Sequence, residues 1–363
     1  MEAAIESPDM SHGARLAAHS AVSTSLALRS DHELRALVEA ATPLGAGIGG
    51  TSALLEVDGV PVFVKRVPLT DLERLPENVH STANLYGLPD FSHFGVGVGG
   101  PGWGAWRELA VHTMTTNWVL AAEYEGFPLM YHWRVLPHPE QSLPDELADV
   151  ERAVAYWEDQ AGVRRRIEGL RDASASVALF LEYIPQNLHT WLDVPIKAGG
   201  EAAERACAMV ERELAAGISF MNERGLLHFD AHFQNILTDG RRLFFADYGL
   251  AISSSFDLSK EEADFFAEHQ SYDRCYSVTH LVSWLATALY GYGRDDREAF
   301  VRACARGEQP TGIPPEVAAI LLRHAPVAEV MTDFYRGFRV ESRQTPYPLA
   351  ELRRVSDPAE PRS

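Results

Sequence analysis

Two short apolar runs, Ser52-Ala-Leu-Leu-Glu-Val57 and Val60-Pro-Val-Phe-Val-Lys65, are separated only by Asp58-Gly59. Asp-Gly closes a two-residue hairpin whose backbone twist matches the flanking strands, so this stretch must form antiparallel sheet in a fixed register. Pro61 weakens the second strand only near its start. Immediately upstream lies Pro43-Leu-Gly-Ala-Gly-Ile-Gly-Gly50. Before it, a short helix over 31–41 is expected with Asp31 as its N-cap. Residues 1–30 are mixed and rich in small residues, and are expected to be poorly tied down.

The remainder changes character along its length. Residues 67–104 form a long connection rich in Pro, Gly and aromatics, and a helix is predicted over 105–120. Residues 137–144 read as a loop, and 145–170 as a charged amphipathic helical stretch. A strand over 177–184 breaks at Pro185, and a long helix over 201–224 stops at Gly225, a good C-cap. Short strands at 235–237 and 243–246 flank Asp239-Gly240. Beyond Ser253 the pattern is helical, with a disordered tail from Val355. A β-rich first part and a mostly helical second part predict an α+β fold, and 363 residues are enough for two lobes.

Charge narrows the function. Lys and Arg total 32 against 51 acidic residues, a formal balance of −19. Such a chain has no electrostatic footprint for coating nucleic acid or an anionic membrane, so phosphate would be bound only at a local site. Cys207, Cys275 and Cys304 are far apart and lack metal-ligand spacing, which predicts buried thiols in a reducing compartment. The longest apolar run, residues 176–181, has the length of a strand and not of a membrane span. Glu2 and Glu6 stand where a signal peptide would carry positive charge, so the expected location is cytoplasmic.

Gly45-x-Gly47-x-x-Gly50 is a phosphate-loop pattern, because glycines let backbone N–H groups approach an anion closely. Alone the pattern is weak, and Gly95-x-Gly97-x-x-Gly100 repeats it. A dinucleotide fold needs a strand before the motif and an acid about 20 residues on. Glu123 is near that spacing, but residues 90–94 make a poor strand and Pro101 interrupts the turn. The first motif has more behind it. Its hairpin returns to Lys65, and downstream come His228-x-Asp230-x-x-x-x-Asn235 and Asp247-Tyr-Gly249.

This ordered set resembles the protein kinase-like superfamily over roughly residues 42–291, and Gly225-Leu-Leu-His-Phe-Asp230 resembles the entry to a kinase catalytic loop. The resemblance implies a bilobal fold: an antiparallel five-stranded N-lobe with one main helix over 42–184, and a helical C-lobe over 185–354. Residues 1–41 would be an N-terminal extension with a short helix, 355–363 a tail, and 67–104 and 137–172 insertions. It also implies ATP and Mg²⁺ as cofactors. Lys65 would meet the α- and β-phosphates with Glu108 holding it, Asn235 and Asp247 would ligate Mg²⁺, and Asp230 would be the base for the acceptor hydroxyl. Gly45, Gly47 and Gly50 would cover the phosphates, and the backbone at Glu182-Tyr-Ile184 would dock adenine. His228 would brace the loop, and His232 would face the acceptor. His228 and His232 lack a third ligand nearby in sequence and are not expected to chelate metal.

Departures bear on the acceptor, which is a protein or a small molecule. Phe229 stands where many protein kinases have Arg, so a phosphate–Arg switch is not expected. No Ala-Pro-Glu follows Asp247, and a helix is expected from about Asp257 where a peptide platform would be. Ser277 occupies a position usually held by Asp in the following helix. His232 resembles small-molecule kinases of the aminoglycoside and choline type. The leading expectation is a serine/threonine protein kinase-like enzyme, then a small-molecule kinase. A nucleotide-binding pseudokinase scaffold is the alternative of another class, and nucleotide transfer is a minor one.

Overall fold

A computed structural model of the chain describes residues 9–47, 49–95, 100–138 and 143–356. They divide into two units, the first drawn from the described residues of 9–92, 100–185 and 244–251, the second from 93–95, 186–243 and 252–356.

The first unit opens with α1 (His12–Ala27) and α2 (Asp31–Glu39), so the segment expected to be poorly tied down is largely helical. The N-cap of α2 is Ser30 and not Asp31. The Ser30 hydroxyl accepts the Glu33 N–H and the Glu33 carboxylate accepts the Ser30 N–H, a reciprocal capping box. α1 is anchored by buried Arg15, which forks onto both Glu182 carboxylate oxygens at 2.8 and 2.7 Å. It also donates to the carbonyls of Glu125 and Phe127.

Next come β1 (Thr42–Gly47), β2 (Gly50–Val57) and β3 (Val60–Leu69), then α3 (Ala105–Leu120) and β4 (Met130–Pro137). Three helices follow, α4 (Asp145–Ala148), α5 (Val150–Tyr156) and α6 (Ala161–Arg171), before β5 (Ala175–Glu182). The five strands form one antiparallel sheet in the order β1-β2-β3-β5-β4. Asp58 and Gly59, with φ of 52° and 81°, make the hairpin turn that pairs Val57 with Val60. All eight residues of β5 are buried, in keeping with the unbroken apolar run over 177–181 at its centre. Part of the glycine stretch is strand and not loop. The single helical stretch read over 145–170 is broken because Glu158 and Asp159 both take positive φ, which no helix tolerates.

Alternation along β3 puts Val67 and Leu69 on the same face as Lys65. Those two pack with Val177, Leu179 and Leu181 of β5 against Ala105, Trp106 and Leu109 of α3. The sheet face that carries Lys65 is therefore the face α3 covers.

The second unit holds β6 (Gln186–Asn187), α7 (Leu188–Ala198), α8 (Gly200–Glu223), β7 (Leu226–Leu227) and β8 (Ile236–Thr238). The chain passes between units within β9 (Leu243–Phe245), then continues through β10 (Ile252–Ser253), α9 (Lys260–Glu268), α10 (Tyr272–Tyr290), α11 (Arg294–Ala305), α12 (Pro315–Val340) and α13 (Leu349–Ser356). β6 pairs with β8 and β7 with β10, tying down both ends of the segment between α8 and α9. α7, unread in the sequence, is capped by the Asn187 side chain accepting the Thr190 N–H. Val355, where a disordered tail was expected to begin, is helical. All three cysteines are buried free thiols. Among the described residues no helix is long and apolar enough to cross a membrane.

Candidate functional site

In the first unit, Lys65 is the centre of a charge cluster drawn from three distant parts of the chain. Its ammonium lies 2.7 Å from Glu108 Oε1 on α3 and 2.9 Å from Asp247 Oδ1. Burial alone would lower the Lys65 pKa, but the two carboxylates outweigh it and hold the amine well above its ordinary value. Glu108 is almost wholly enclosed, whereas the Asp247 side chain is 40% exposed. Burial pushes the Glu108 carboxyl above its ordinary value although the Lys65 charge works against it, and Asp247 leaves an accessible carboxylate oxygen at the edge of the cluster.

Asp247 reaches Lys65 because residues 244–251 belong to the first unit, whereas the resemblance groups them with 185–354. The Phe245 N–H donates to the Gly126 carbonyl, and the Trp103 N–H donates to that of Gly249. Tyr248 is buried, its hydroxyl donating to the Phe245 carbonyl and its ring edge-on to His112 of α3. Asp247 itself has φ of 63°, an uncommon conformation for a non-glycine residue.

The glycine turn closes over the same place. A Cβ on Gly49 would come within 3.0 Å of Lys65 Nζ and 3.8 Å of Asp247 Oδ2. Gly50 has φ of +111°, and a Cβ there would meet the Arg66 carbonyl oxygen at 1.9 Å, so only glycine fits. Gly45 and Gly47, the other two of the expected trio, stand in open space or ordinary contact. Gly49, outside the motif spacing, is the one nearest the charges.

In the second unit, residues 228–235 form a braced loop. Asp273 of α10 accepts the His228 N–H at 2.6 Å and the Phe229 N–H at 2.8 Å. Ser277, one helical turn further on, donates its hydroxyl to the Arg274 carbonyl and does not reach this loop by any described hydrogen bond. Burial pushes Asp273 up to about 6 in spite of its two donors. The Phe229 ring lies flat on Tyr272, with centroids 4.5 Å apart, among His93, Phe265 and His269. An aromatic fills this place because its surroundings are aromatic.

Beyond that anchor, Asn235 Nδ2 donates to Asp230 Oδ2 at 2.8 Å and to the Asp230 carbonyl at 3.1 Å. This directs the amide oxygen away from Asp230. The Asp230 N–H donates to His228 Nδ1 at 3.3 Å, so His228 braces the loop. His232 Nδ1 accepts the Gln234 N–H at 3.2 Å, and its Nε2 lies 3.8 Å from Asp230 Oδ1. Next to it, His280 is pushed down to about 3, by burial first and by neighbouring His232 second.

The expected site residues thus fall into two sets, Lys65, Glu108, Asp247 and the glycine turn in one unit, and Asp230, His232 and Asn235 in the other. Glu182 and Ile184 end β5 and follow it, both buried. The Glu182 carboxylate holds Arg15 and accepts the Leu129 N–H, and its own N–H donates to the Leu129 carbonyl. The second glycine motif follows a 3₁₀ turn (Asp90–Phe94) and not a strand, and its Gly97 lies outside the described residues. Among the described residues no three His, Cys, Asp or Glu side chains gather at one metal-sized point. No model of a known family matches the chain, and no curated protein matches it.

Proposed function

We propose that the chain transfers the γ-phosphate of ATP to a hydroxyl acceptor, with Mg²⁺, as a bilobal enzyme resembling the protein kinase-like superfamily. The observation that carries this reading is the Lys65 ammonium held between Glu108 and Asp247. A purely structural ion pair would be a poor investment, since burying charge usually costs more than an apolar pair of equal volume. Here the cluster keeps one carboxylate open to solvent on a backbone of unfavourable φ, as expected of a working site.

The chemistry follows from the groups present. A triphosphate needs a fixed cation, and Lys65 is kept charged. Mg²⁺ takes hard oxygens, keeps several waters and needs few protein ligands besides phosphate. The exposed Asp247 carboxylate is a ligand of that kind, the resemblance implies the Asn235 amide oxygen as another, and the ion would neutralise charge on the transferring phosphoryl group. Asp230, oriented by Asn235, would accept the acceptor's proton.

Between acceptors, a small molecule is favoured over a protein. Only six residues separate the end of β10 at Ser253 from the start of α9 at Lys260, which leaves little chain to form a peptide platform after Asp247. Incubating the pure protein with γ-labelled ATP, Mg²⁺ and a cell extract tests the reading. Label should enter small molecules, and should vanish with chelator and in Asp230→Asn. Tight ATP binding without transfer to any acceptor or to water would point to a nucleotide-binding scaffold.

A further inference from the structure

The N-terminus of α3 is capped by residues far from it. Gly104, its N-cap, offers no side chain, and the first helical N–H, that of Ala105, donates at 2.8 Å to Glu73 Oε1. Gly104 has φ of +116°, and a Cβ there would sit 2.7 Å from that same oxygen. The Glu73 carbonyl accepts the Trp106 indole N–H at 2.8 Å, His80 stacks on Trp106, and Arg107 Nε donates to the Thr82 carbonyl. Residues 73–82 therefore grip three consecutive residues of the helix's first turn.

The other side of this grip comes from α6. Arg166 Nη1 donates to Glu73 Oε2 at 2.8 Å, and both side chains are almost fully enclosed. The guanidinium lies over the Tyr86 ring, whose hydroxyl donates to Thr70 Oγ1, and Thr70 donates in turn to Glu73 Oε2. Burial would raise the Glu73 pKa, but Arg166 and the Thr70 and Ala105 donors hold it below its ordinary value. The two stretches read as insertions thus meet at one buried ion pair seated on the end of α3.

Glu108 lies three residues beyond Ala105 in the same turn. Each residue of an α-helix turns it by about 100°, so a slip of one position would carry Glu108 off Lys65. We propose that Glu73 and Arg166 are positioning residues, which fix the rotation of α3 so that Glu108 is delivered to Lys65 without any outside signal. The proposal rests on the phosphotransferase reading only for its functional meaning. The coupling itself can be read from Lys65.

The chain's lysines are Lys65, Lys197 and Lys260. The last two side chains are 73% and 82% exposed and serve as internal references. The full-length protein is pulsed with an N-hydroxysuccinimide acetate ester, well below each variant's melting transition, and Lys65 acetylation is read by mass spectrometry against the references. Glu108 encloses the Lys65 ammonium at 2.7 Å, so turning it away opens the amine to reagent; Arg166→Met should raise Lys65 labelling roughly tenfold, as should Glu108→Gln. If Arg166 acts through Glu108, the double variant should label no faster than either single one. Arg166→Lys should recover part of the protection. Unchanged labelling in folded Arg166→Met, or additive effects in the double variant, would overturn the proposal. Should Arg166→Met fail to fold, Glu73→Gln keeps an acceptor for the Ala105 N–H, loses the charge, and enters the same cycle. ATP turnover separates the two claims. A non-additive cycle in a protein without turnover sinks the phosphotransferase reading and leaves the brace, and an additive cycle in an active enzyme does the reverse.

Discussion

Phe229 donates its backbone N–H to the Asp273 carboxylate at 2.8 Å while holding a φ of 62°. An aromatic residue in the left-handed region costs on the order of 1–3 kcal/mol and persists only where its surroundings over-determine it. Asp273 supplies that constraint together with the stack on Tyr272, since one carboxylate grips two successive N–H groups. The direction of the chain into Asp230 is therefore set by α10, not by the loop itself.

Asp273→Asn should destabilise the protein by about 2 kcal/mol, because an amide presents one acceptor and one donor to two buried donors. Its pH signature has a definite sign. The folded pKa, about 6, is above the ordinary 3.8, so the folded state binds the proton more tightly. The contribution of this group is full below 3.8 and is lost as pH rises through about 6. Denaturation measured across that window should show the wild type losing stability relative to the variant as pH rises. A constant difference would mean that Asp273 does not titrate there.

Asp247→Asn should abolish Mg²⁺-dependent turnover, because a neutral amide is a weaker ligand for a hard cation. It should also expose Lys65. After burial, the Asp247 charge is the largest influence on the Lys65 pKa, and its removal should lower that pKa by about 1 to 3 units. Faster Lys65 acetylation together with lost turnover is the expected pair of results. Wild-type Mg²⁺ dependence in the variant would remove Asp247 from the site.

Asp230→Asn should reduce turnover about 10²–10⁴-fold while leaving the ATP Kd nearly unchanged, since a general base touches the acceptor and not the nucleotide. The amide oxygen can still accept from Asn235 Nδ2, so this variant separates the base from the brace. Calorimetric titration with ATP and Mg²⁺ supplies the check. A parallel collapse of nucleotide binding would contradict the assigned role.

What the sequence made legible was local. The Asp58-Gly59 hairpin, the helix over 105–120 and the long helix ending near Gly225 each carry their own turn residue or period. Glu108 could be picked out only as the one acid of its type in a helix after Lys65, and the structure places it at the ammonium. What stayed hidden depends on partners far apart in sequence. Arg15 carries no signal of its own in the small-residue stretch 1–30 until Glu182 is brought to it. Asp273 carried no signal either, since its two donors, the His228 and Phe229 N–H groups, lie more than forty residues upstream. Glu73 and Arg166 had no signal at all, since an internal cap from a distant segment leaves no motif.

The glycine turn offers a contrast between two neighbouring positions. Gly50→Ala would drive a Cβ into the Arg66 carbonyl and strain a backbone at φ of +111°, whereas Gly47 has open space for a Cβ. Strain of this kind costs on the order of 1–3 kcal/mol, before the clash is counted. Shifting Arg66 also shifts Lys65 beside it. Gly50→Ala should therefore lower both the melting temperature and ATP affinity, and Gly47→Ala neither by much. Equal effects at the two positions would mean that the turn is not held against β3 as described.

His232 is the site residue whose role the acceptor decides. Because its Nδ1 accepts the Gln234 N–H, the neutral ring carries its proton on Nε2, the atom 3.8 Å from Asp230 Oδ1. A proton donor beside Asp230, the proposed base, can orient it or meet an acceptor hydroxyl approaching it. His280, behind the ring, is held neutral by burial and cannot supply charge in its place. His232→Ala should then lower kcat/KM for the acceptor roughly tenfold or more, the scale of a hydrogen bond to a charged group. His232→Lys should be milder, since it restores a donor near Asp230 although it cannot accept from Gln234. Turnover is measured at saturating ATP while the acceptor is varied. If the two variants are equally damaged and the acceptor KM does not move, the ring only braces the loop, and the case for a small-molecule acceptor loses one of its two supports.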